Sequence, residues 1–123
     1  MRAPISVVIP SLNAAAALPA CLAALVEGLQ AGLIREVILS DGGSTDGTPQ
    51  LAEGWGGEVI SGAPSRGGQL RRGCDAARGE WLLVLHADTV LAPGWTDAVQ
   101  GHMARRAGAA GWFRLRFDQR GLA

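Results

Sequence analysis

Four short apolar runs recur along the chain, and a segment with helical spacing separates each run from the next. The runs are Ile5–Ile9, Glu36–Ser40, Glu58–Ser61 and Trp81–Leu85. They are too short for typical helices, and the β-branched run Ile5–Ile9, closed by Pro10, suits a strand that is buried on both faces. Strands that alternate with helices predict an α/β fold, in which right-handed crossovers build a mostly parallel, Rossmann-like sheet with helices on both faces.

The segments between and after these runs predict four helices, over Leu18–Leu29, Thr48–Glu53, Arg66–Arg78 and Pro93–Arg106. Leucines and a valine recur at helical spacing in the first helix, and Gly32 is placed to end it. In the third helix, the pattern puts Leu70, Cys74 and Ala77 on one side. A last segment, Trp112–Phe117, alternates apolar with basic side chains, which is typical of a half-exposed strand near a sheet edge or in antiparallel pairing.

The composition limits both the size class and the partners of the chain. With 123 residues, it is expected to form a single domain. Eleven basic and eleven acidic side chains cancel, so no net field attracts nucleic acid or an anionic membrane. The longest apolar stretch, Ala14–Val26, is too short to be a transmembrane segment and contains Pro19. The two distant cysteines, Cys21 and Cys74, predict reduced thiols in a cytoplasmic protein.

Polar residues gather directly after three of the predicted strands, in the stretches Pro10–Asn13, Asp41–Gly47 and His86–Asp88. In parallel α/β sheets, ligands bind at the carboxyl ends of the strands, so these stretches mark the expected site. Asp41 can there accept hydrogen bonds from a ribose or from the imide N–H of a base. The alternative is a helix cap, a role that suits Asp46 better.

His86 and Asp88 are the candidate metal ligands. Because they are two residues apart, they point to the same side of an extended chain. Asp88 has the carboxylate that Mg²⁺ or Mn²⁺ binds when a diphosphate fills other coordination positions, and the imidazole of His86 shifts the preference toward Mn²⁺. The alternative is structural, with a histidine bonded to backbone and an aspartate that opens a turn.

Arginine supplies every basic side chain, since the chain has no lysine. Arg66, Arg71 and Arg72 form a cluster, for which a solvated basic face is the default interpretation. Arg66, beside two glycines at a predicted helix start, is best placed to reach a phosphate. The sequence has no GxGxxG after the first strand, no lysine for a P-loop, no GxSxG and no HExxH, which disfavours the site classes that those motifs indicate.

Several motif blocks of the sequence resemble a known family. They lie in the segments SVVIPSLN, EVILSDGGSTDGT and SRGGQLRRGCDAARGEWLLVLHADTVLAPGW. In this order and spacing they look like the inverting family-2 glycosyltransferases, which have the GT-A fold, and the resemblance covers nearly the whole chain. The combination of Gln69 with His86–Thr89 is similar to a bacterial subgroup of that family.

The resemblance implies a transferase that binds a nucleotide-diphosphate sugar, usually one of UDP, together with a divalent metal. Asp41 would contact the base, and Arg66 would lie near the diphosphate. His86 and Asp88 would bind the metal and, with it, the nucleotide. The other residues of the nucleotide pocket would be Pro10, Ser11, Asn13 and Gln69. An acceptor hydroxyl, deprotonated by a carboxylate base, would attack the sugar while the metal neutralises charge on the departing diphosphate.

This sequence departs from the family pattern in four respects. His86 stands where the metal motif begins with an acid, Ala14 where many members carry an acid, and Arg71 where the subgroup often has asparagine. The chain also stops where family members continue into the acceptor-binding half, which supplies the catalytic base. The acids Asp97 and Asp118 do not match the base motif, so no catalytic base is assigned. We therefore expect the N-terminal part of a longer enzyme.

The sequence leaves two alternatives to a glycosyltransferase. A non-catalytic nucleotide-binding module is the first. A nucleotidyltransferase is disfavoured, because its glycine-rich loop should follow the first strand, where Pro10–Asn13 stands. The sequence leaves open the sugar, the acceptor and the oligomeric state, with a homodimer among the options.

Overall fold

The computed structural model of the protein describes residues 3–105, in which four strands alternate with four helices. The strands are β1 (Ile5–Ser11), β2 (Ile34–Asp41), β3 (Glu58–Ser61) and β4 (Trp81–Val84). The helices are α1 (Leu18–Gln30), α2 (Thr48–Trp55), α3 (Arg66–Ala76) and α4 (Trp95–Arg105). Arg106 and the strand predicted for Trp112–Phe117 lie outside the described residues. Across residues 3–105, no helix is long and apolar enough to cross a bilayer.

The four strands form one parallel sheet in the order β3-β2-β1-β4. β1 pairs with β2 on one side, from Ile5 opposite Ile34 to Ser11 opposite Asp41, and with β4 on the other side. Because all of these pairings are parallel, the carboxyl ends of the strands lie at one edge of the sheet. The predicted α/β architecture is therefore confirmed.

Different helices cover the two faces of the sheet. Alternate residues of a strand point to opposite faces, and Ile5, Val7 and Ile9 join the main apolar core together with leucines of α1. On the other face, α3 packs on β1, where its Gly73 lies against the side chain of Val8. Helices on both faces are what the alternating sequence pattern predicts.

The buried face of α3 is not the side that carries its apolar residues. Leu70 is 36% exposed and Cys74 is only half-buried, whereas Gln69 and Gly73 are buried against the sheet. A Cβ at position 73 would overlap the side chain of Val8, so glycine lets the helix approach β1 closely. The apolar side of the predicted helix is therefore not its buried face, because a close contact made by glycine does not appear in a pattern of apolar residues.

β1 continues through Pro10, although the sequence pattern ends the strand there. Proline lacks the N–H that pairing in a sheet needs. Residues 8 and 10 direct their backbone groups to the same side, and the carbonyl of Val8 faces β4, since it accepts the N–H of Leu85 (3.0 Å). β4 itself ends at Val84, so the missing N–H of Pro10 falls beyond the last pairing with β4. The β2 side of β1 stays paired up to Ser11.

Candidate functional site

The predicted site residues lie at the carboxyl edge of the sheet. Asp41 is the last residue of β2, and its partner in the register, Ser11, is the last residue of β1. His86 and Asp88 follow β4, which pairs with the other side of β1. Asp41 and the stretch His86–Asp88 are therefore about two strand spacings apart, roughly 10 Å. The polar ends of these three neighbouring strands share one edge, as the sequence interpretation requires.

Asp41 is enclosed by its own loop, and only 1% of its surface is exposed. Its Oδ1 accepts the hydroxyls of Ser11 (2.8 Å) and Ser44 (2.6 Å). Its Oδ2 accepts the backbone N–H groups of Gly43 (3.0 Å) and Ser44 (2.7 Å). A carboxylate offers about four acceptor sites, so these four bonds use its capacity. The carboxylate thus shapes the loop after β2. Direct contact with a base stays a prediction, and a hydrogen bond from the base would have to compete with these four bonds.

Hydrogen bonds also lower the pKa of Asp41. Burial alone would raise its pKa, but the bonds from Ser44, Ser11 and Gly43 outweigh burial and hold the pKa below its ordinary value. Glu36, near the amino end of β2, behaves in the same way. Burial would raise its pKa, while bonds from the Ser6 hydroxyl and a backbone N–H, together with two arginine charges, lower it on balance. Both groups therefore favour the folded state when they are ionised.

We expect these two carboxylates to make the fold sensitive to acid. Their pKa values are lower in the folded chain than in the unfolded chain, where they are about 4. The unfolded chain therefore binds more protons in this range, so stability rises with pH there. The free energy of unfolding, measured by urea titration with tryptophan fluorescence, should be level above about pH 5 and fall below about pH 4. A value that does not change between about pH 5 and about pH 3 would contradict the prediction.

Asn13 joins the loop after β1 to the loop after β2. Its φ of 50° lies in the left-handed region, which asparagine tolerates better than most residues. Its Oδ1 accepts the N–H of Thr45 (2.8 Å), and its own N–H donates to the hydroxyl of Ser44 (2.7 Å). Asn13 is exposed at the site, and these contacts fix its conformation.

The next two residues extend this junction between the loops. The N–H of Ala14 donates to the hydroxyl of Thr48 (2.9 Å), and the N–H of Ala15 donates to Oδ2 of Asp46 (3.0 Å). Oδ1 of Asp46 accepts the N–H of Thr48 (3.1 Å), the first residue of α2. The cap residue itself is Gly47, so Asp46 bonds one N–H group of the first turn from the position before the cap. Sequence analysis missed the pairing of the two loops, and the density of hydroxyls and carboxyls in DGGSTDGT was the available signal.

Gln69 lies beneath this junction, on the first turns of α3. It is 6% exposed. Its Nε2 donates to the carbonyls of Ser11 (2.7 Å) and Ser40 (3.0 Å), and its Oε1 accepts the N–H of Ser65 (3.1 Å). Both N–H bonds of the carboxamide are thus satisfied within the protein. Contact between Gln69 and a nucleotide stays a prediction.

The three arginines of the cluster have different surroundings in the structure. Arg66 is exposed at the first residue of α3, directly after Ser65, whose hydroxyl caps the helix by accepting a backbone N–H of the first turn (3.2 Å). Arg71 is also exposed. Arg72 instead folds back, and its Nη2 donates to the carbonyl of Ala63 (2.8 Å). Arg66 is therefore the member of the cluster at the helix start, where the helix dipole favours an anion.

The donor atoms after β4 fit a cation that binds together with a diphosphate. His86 and Asp88 are exposed, and Ala87 between them is buried. The stretch is not extended as the sequence interpretation assumed, because Ala87 and Asp88 lie in a turn in which the N–H of Thr89 donates to the carbonyl of His86 (3.0 Å). Within residues 3–105, no group of three or more His, Cys, Asp and Glu side chains is arranged to hold a metal ion. One carboxylate with a nearby imidazole suits Mg²⁺ or Mn²⁺ when phosphate oxygens and water supply the other ligands.

Cys21 lies behind the stretch His86–Asp88, but its chemistry does not suit a metal ligand. Its thiol donates to the carbonyl of His86 (3.7 Å). Burial, and then the negative charge of Asp88, raise the pKa of Cys21 to about 11. Metals bind the thiolate, whereas this thiol stays protonated near neutral pH. The contact therefore anchors the backbone of His86.

The far end of the loop that carries Asp88 is anchored on α1. Glu27 accepts the N–H groups of Gly94 (2.8 Å) and Thr96 (3.1 Å), and also the hydroxyl of Thr96 (2.6 Å). The indole N–H of Trp95 donates to a carbonyl of α1 (2.9 Å). The unpaired N–H groups at the start of a helix favour such a carboxylate. The loop is thus held at β4 and at α4, and the sequence carried no signal for the role of Glu27.

A pocket of about 380 Å³ lies away from the carboxyl edge. Its charged lining residues are Arg35, Glu36, Glu58 and Arg78, so opposite charges offset one another. Glu36 is already engaged, because it accepts the hydroxyl of Ser6 (2.6 Å) and the N–H of Arg78 (2.7 Å). None of the predicted site residues lines this pocket, and the candidate site is therefore the carboxyl edge.

Comparison with known sequences identifies related proteins. The profile of Glycosyl transferase family 2 matches residues 6–122. Curated relatives include the PGL/p-HBAD biosynthesis glycosyltransferases of Mycobacterium bovis and Mycobacterium tuberculosis, which are 40% identical over 99 aligned residues. The matched region is 74% of this chain and 38% of each relative. The chain thus spans well under half the length of the curated relatives that it matches.

Solved structures share the fold. Glucosyl-3-phosphoglycerate synthase from Mycobacterium tuberculosis, in complex with Mn²⁺, UDP and phosphoglyceric acid, gives a TM-score of 0.73 at 28% identity, over 86% of this chain and 40% of that one. Mannosyl-3-phosphoglycerate synthase from Rubrobacter xylanophilus gives 0.73 at 27% identity, over 86% and 37%. TarS from S. aureus is similar in fold alone, with a TM-score of 0.72 at 18% identity, over 90% and 38%. These neighbours are GT-A glycosyltransferases, and this chain has the corresponding part of that fold.

Proposed function

Because the chain belongs to Glycosyl transferase family 2, we propose that it forms the donor-binding half of a glycosyltransferase. It binds a nucleotide-diphosphate sugar, with UDP as the nucleotide, and the complete enzyme transfers the sugar to an acceptor. One observation carries this proposal: the loops after β1 and β2, the start of α3 and the stretch His86–Asp88 border the same edge of the sheet. That edge is where parallel α/β sheets bind their ligands.

Each part of this edge suits one part of the donor. The segment from Pro10 to Asn13 and the loop shaped by Asp41 form the nucleoside side of the pocket, and both are held rigidly by hydrogen bonds. Arg66, at the start of α3, has a guanidinium that pairs with phosphate oxygens, and the helix dipole adds to this attraction. The complex of the related synthase with UDP and Mn²⁺ supports UDP as the nucleotide.

Asp88, together with His86, would hold a Mg²⁺ or Mn²⁺ ion beside the diphosphate. When bound, such an ion acts as a Lewis acid that neutralises the charge on the leaving nucleoside diphosphate. The two side chains are exposed on the same edge of the sheet as Arg66, so a bound ion and the guanidinium would both add positive charge to the edge where the diphosphate is proposed to bind. A cytoplasmic location stays a prediction that rests on the two free cysteines.

The test is calorimetry of the chain with UDP, in the presence of Mn²⁺, Mg²⁺ or a chelator. We expect binding to be about tenfold or more tighter with either cation, because metal and diphosphate complete each other's coordination. Asp88→Asn should remove most of this difference, since it replaces the charged ligand with a neutral amide. The measurement compares the dissociation constants with and without the cation.

Asp97→Asn is the matched control, because Asp97 is an exposed aspartate in the first turn of α4. It should leave both dissociation constants unchanged. If the parent chain binds UDP equally well with chelator added, the metal role of Asp88 is wrong. If it binds no UDP under any of these conditions, the proposed donor site itself is wrong.

A further inference from the structure

The carboxamide of Gln69 connects three elements that border the proposed donor site. Through Nε2 it bonds the carbonyl of Ser11, at the end of β1, and the carbonyl of Ser40, near the end of β2. Through Oε1 it accepts the N–H of Ser65, the cap residue of α3. The side chain is almost fully buried, so water does not compete strongly for these bonds. One amide therefore fixes the spacing between both central strands and the helix start that carries Arg66.

Gly42 lies close to this carboxamide. A Cβ at position 42 would lie 2.8 Å from Oε1 of Gln69, 3.0 Å from its Cδ and 3.1 Å from its Nε2. The amide is held by three hydrogen bonds, so it yields to such a group only by giving up part of its bonding. Position 42 follows Asp41 directly, at the edge where the donor is proposed to bind. Glycine at this position and glutamine at position 69 thus depend on each other.

We propose that Gln69 is a positioning residue of the donor site, acting through Arg66 and the loop of Asp41 rather than by touching the nucleotide. This inference rests on the proposed function. The bonds of Gln69 to the two strands and to the cap residue set the distance between the Arg66 guanidinium and the loop after β2. The site holds the diphosphate productively only while that distance is kept. Gly42 is required because any side chain there pushes the amide away from its partners.

A double-mutant cycle on UDP affinity tests this role. Gln69→Met keeps the length and volume of the side chain but loses all three hydrogen bonds. We expect it to weaken UDP binding roughly tenfold, because small displacements of binding groups have large effects. Arg66→Ala should weaken UDP binding in the parent chain. In the Gln69→Met background, the same Arg66→Ala change should have little further effect, since the guanidinium is already misplaced.

Gly42→Ala provides a second route if Gln69→Met does not fold. It leaves Gln69 in place and displaces its amide, so it should also weaken UDP binding and reduce the effect of Arg66→Ala. The matched controls are Gln50→Met and Gly54→Ala on α2, where Gln50 is exposed and a Cβ at position 54 meets no atom within 4 Å. Circular dichroism and urea titration establish for every variant that the fold is intact.

The outcomes separate the inference from the proposed function. Non-additive effects of Gln69→Met and Arg66→Ala, with both controls neutral, support the positioning role. Purely additive effects, or unchanged UDP affinity in a folded Gln69→Met chain, overturn the positioning role while the donor site stands. A parent chain that binds no UDP refutes the proposed function, and the positioning role fails with it.

Discussion

Replacing Asp41 by alanine is expected to lower the free energy of unfolding by about 3–5 kcal/mol. The change removes four hydrogen bonds to a buried charge and leaves the N–H groups of Gly43 and Ser44 without their acceptor. Domains of this size are stable by only about 5–15 kcal/mol, so the loss takes away a large part of the total. Urea titration followed by tryptophan fluorescence measures it, and amide exchange should show the loop after β2 opening first.

Asp41→Asn and Asp75→Ala are the comparisons for this result. Asparagine keeps one carbonyl for the two backbone N–H groups, while its NH₂ group faces the hydroxyls of Ser11 and Ser44, which can turn to accept it. We therefore expect a smaller loss, of about 1–2 kcal/mol. Asp75 is exposed on α3, and its replacement should change stability by less than about 0.5 kcal/mol. If Asp41→Ala were as stable as the parent chain, the four bonds would not have the weight assigned to them.

This result also decides how binding data on Asp41 are interpreted. If alanine at position 41 weakens UDP binding only in proportion to the unfolded fraction, the residue acts through the loop. If the folded Asp41→Asn variant loses more UDP affinity than its smaller loss of stability accounts for, a direct contact with the base is supported. The two effects are separable only because the asparagine variant preserves the shape of the loop.

Gly28→Ala is expected to destabilise the chain by about 2 kcal/mol or more, although alanine is normally the better helix residue. A Cβ at position 28 would lie 2.6 and 2.7 Å from ring atoms of Trp95, and 2.7 Å from Cδ1 of Ile34. The indole cannot move away freely, because its N–H is bonded to α1 and Glu27 holds the neighbouring residues. Relief of the overlap therefore displaces the start of α4, and with it the loop that carries Asp88.

Gly54→Ala is the matched control, since both glycines lie within helices and neither has a positive φ. A Cβ at position 54 meets no atom within 4 Å, so alanine there should stabilise the chain by about 0.5–1 kcal/mol through helix propensity. Thermal and urea unfolding of the two variants should shift in opposite directions. If both variants were stabilised, Trp95 would not be packed against α1 as tightly as described.

The alternation of apolar runs with helical segments was enough to predict the fold, because strand and helix periods differ and the runs are short. It was not enough to predict every boundary. Whether a strand tolerates Pro10 depends on where the neighbouring strand stops, and that information lies in β4, about seventy residues further along the chain. The buried face of α3 could not be predicted for a related reason, since Gly73 lets the helix approach β1 closely without contributing an apolar side chain.

The edge that carries the candidate site was also predictable, because burying polar side chains at strand ends costs free energy unless they form hydrogen bonds. The destination of their hydrogen bonds was not predictable. The polar groups expected of ligand contacts are present in Asp41, Asn13 and Gln69. Each of these residues forms hydrogen bonds to neighbouring segments of the protein instead. The sequence shows which polar groups a residue has. Whether these groups bond a ligand or an adjacent loop depends on which of them lies nearby in the folded chain.

The junction between the first two loops has a consequence for the energetics of recognition. Three successive amides, from Asn13 to Ala15, are bonded to side chains of the loop after β2 and of Thr48 at the start of α2, so this wall of the candidate site is already assembled in the free chain. A ligand that docks against it does not have to order a mobile segment, and little conformational entropy is lost on that side. The pre-organised wall therefore leaves more of each contact's free energy available as affinity.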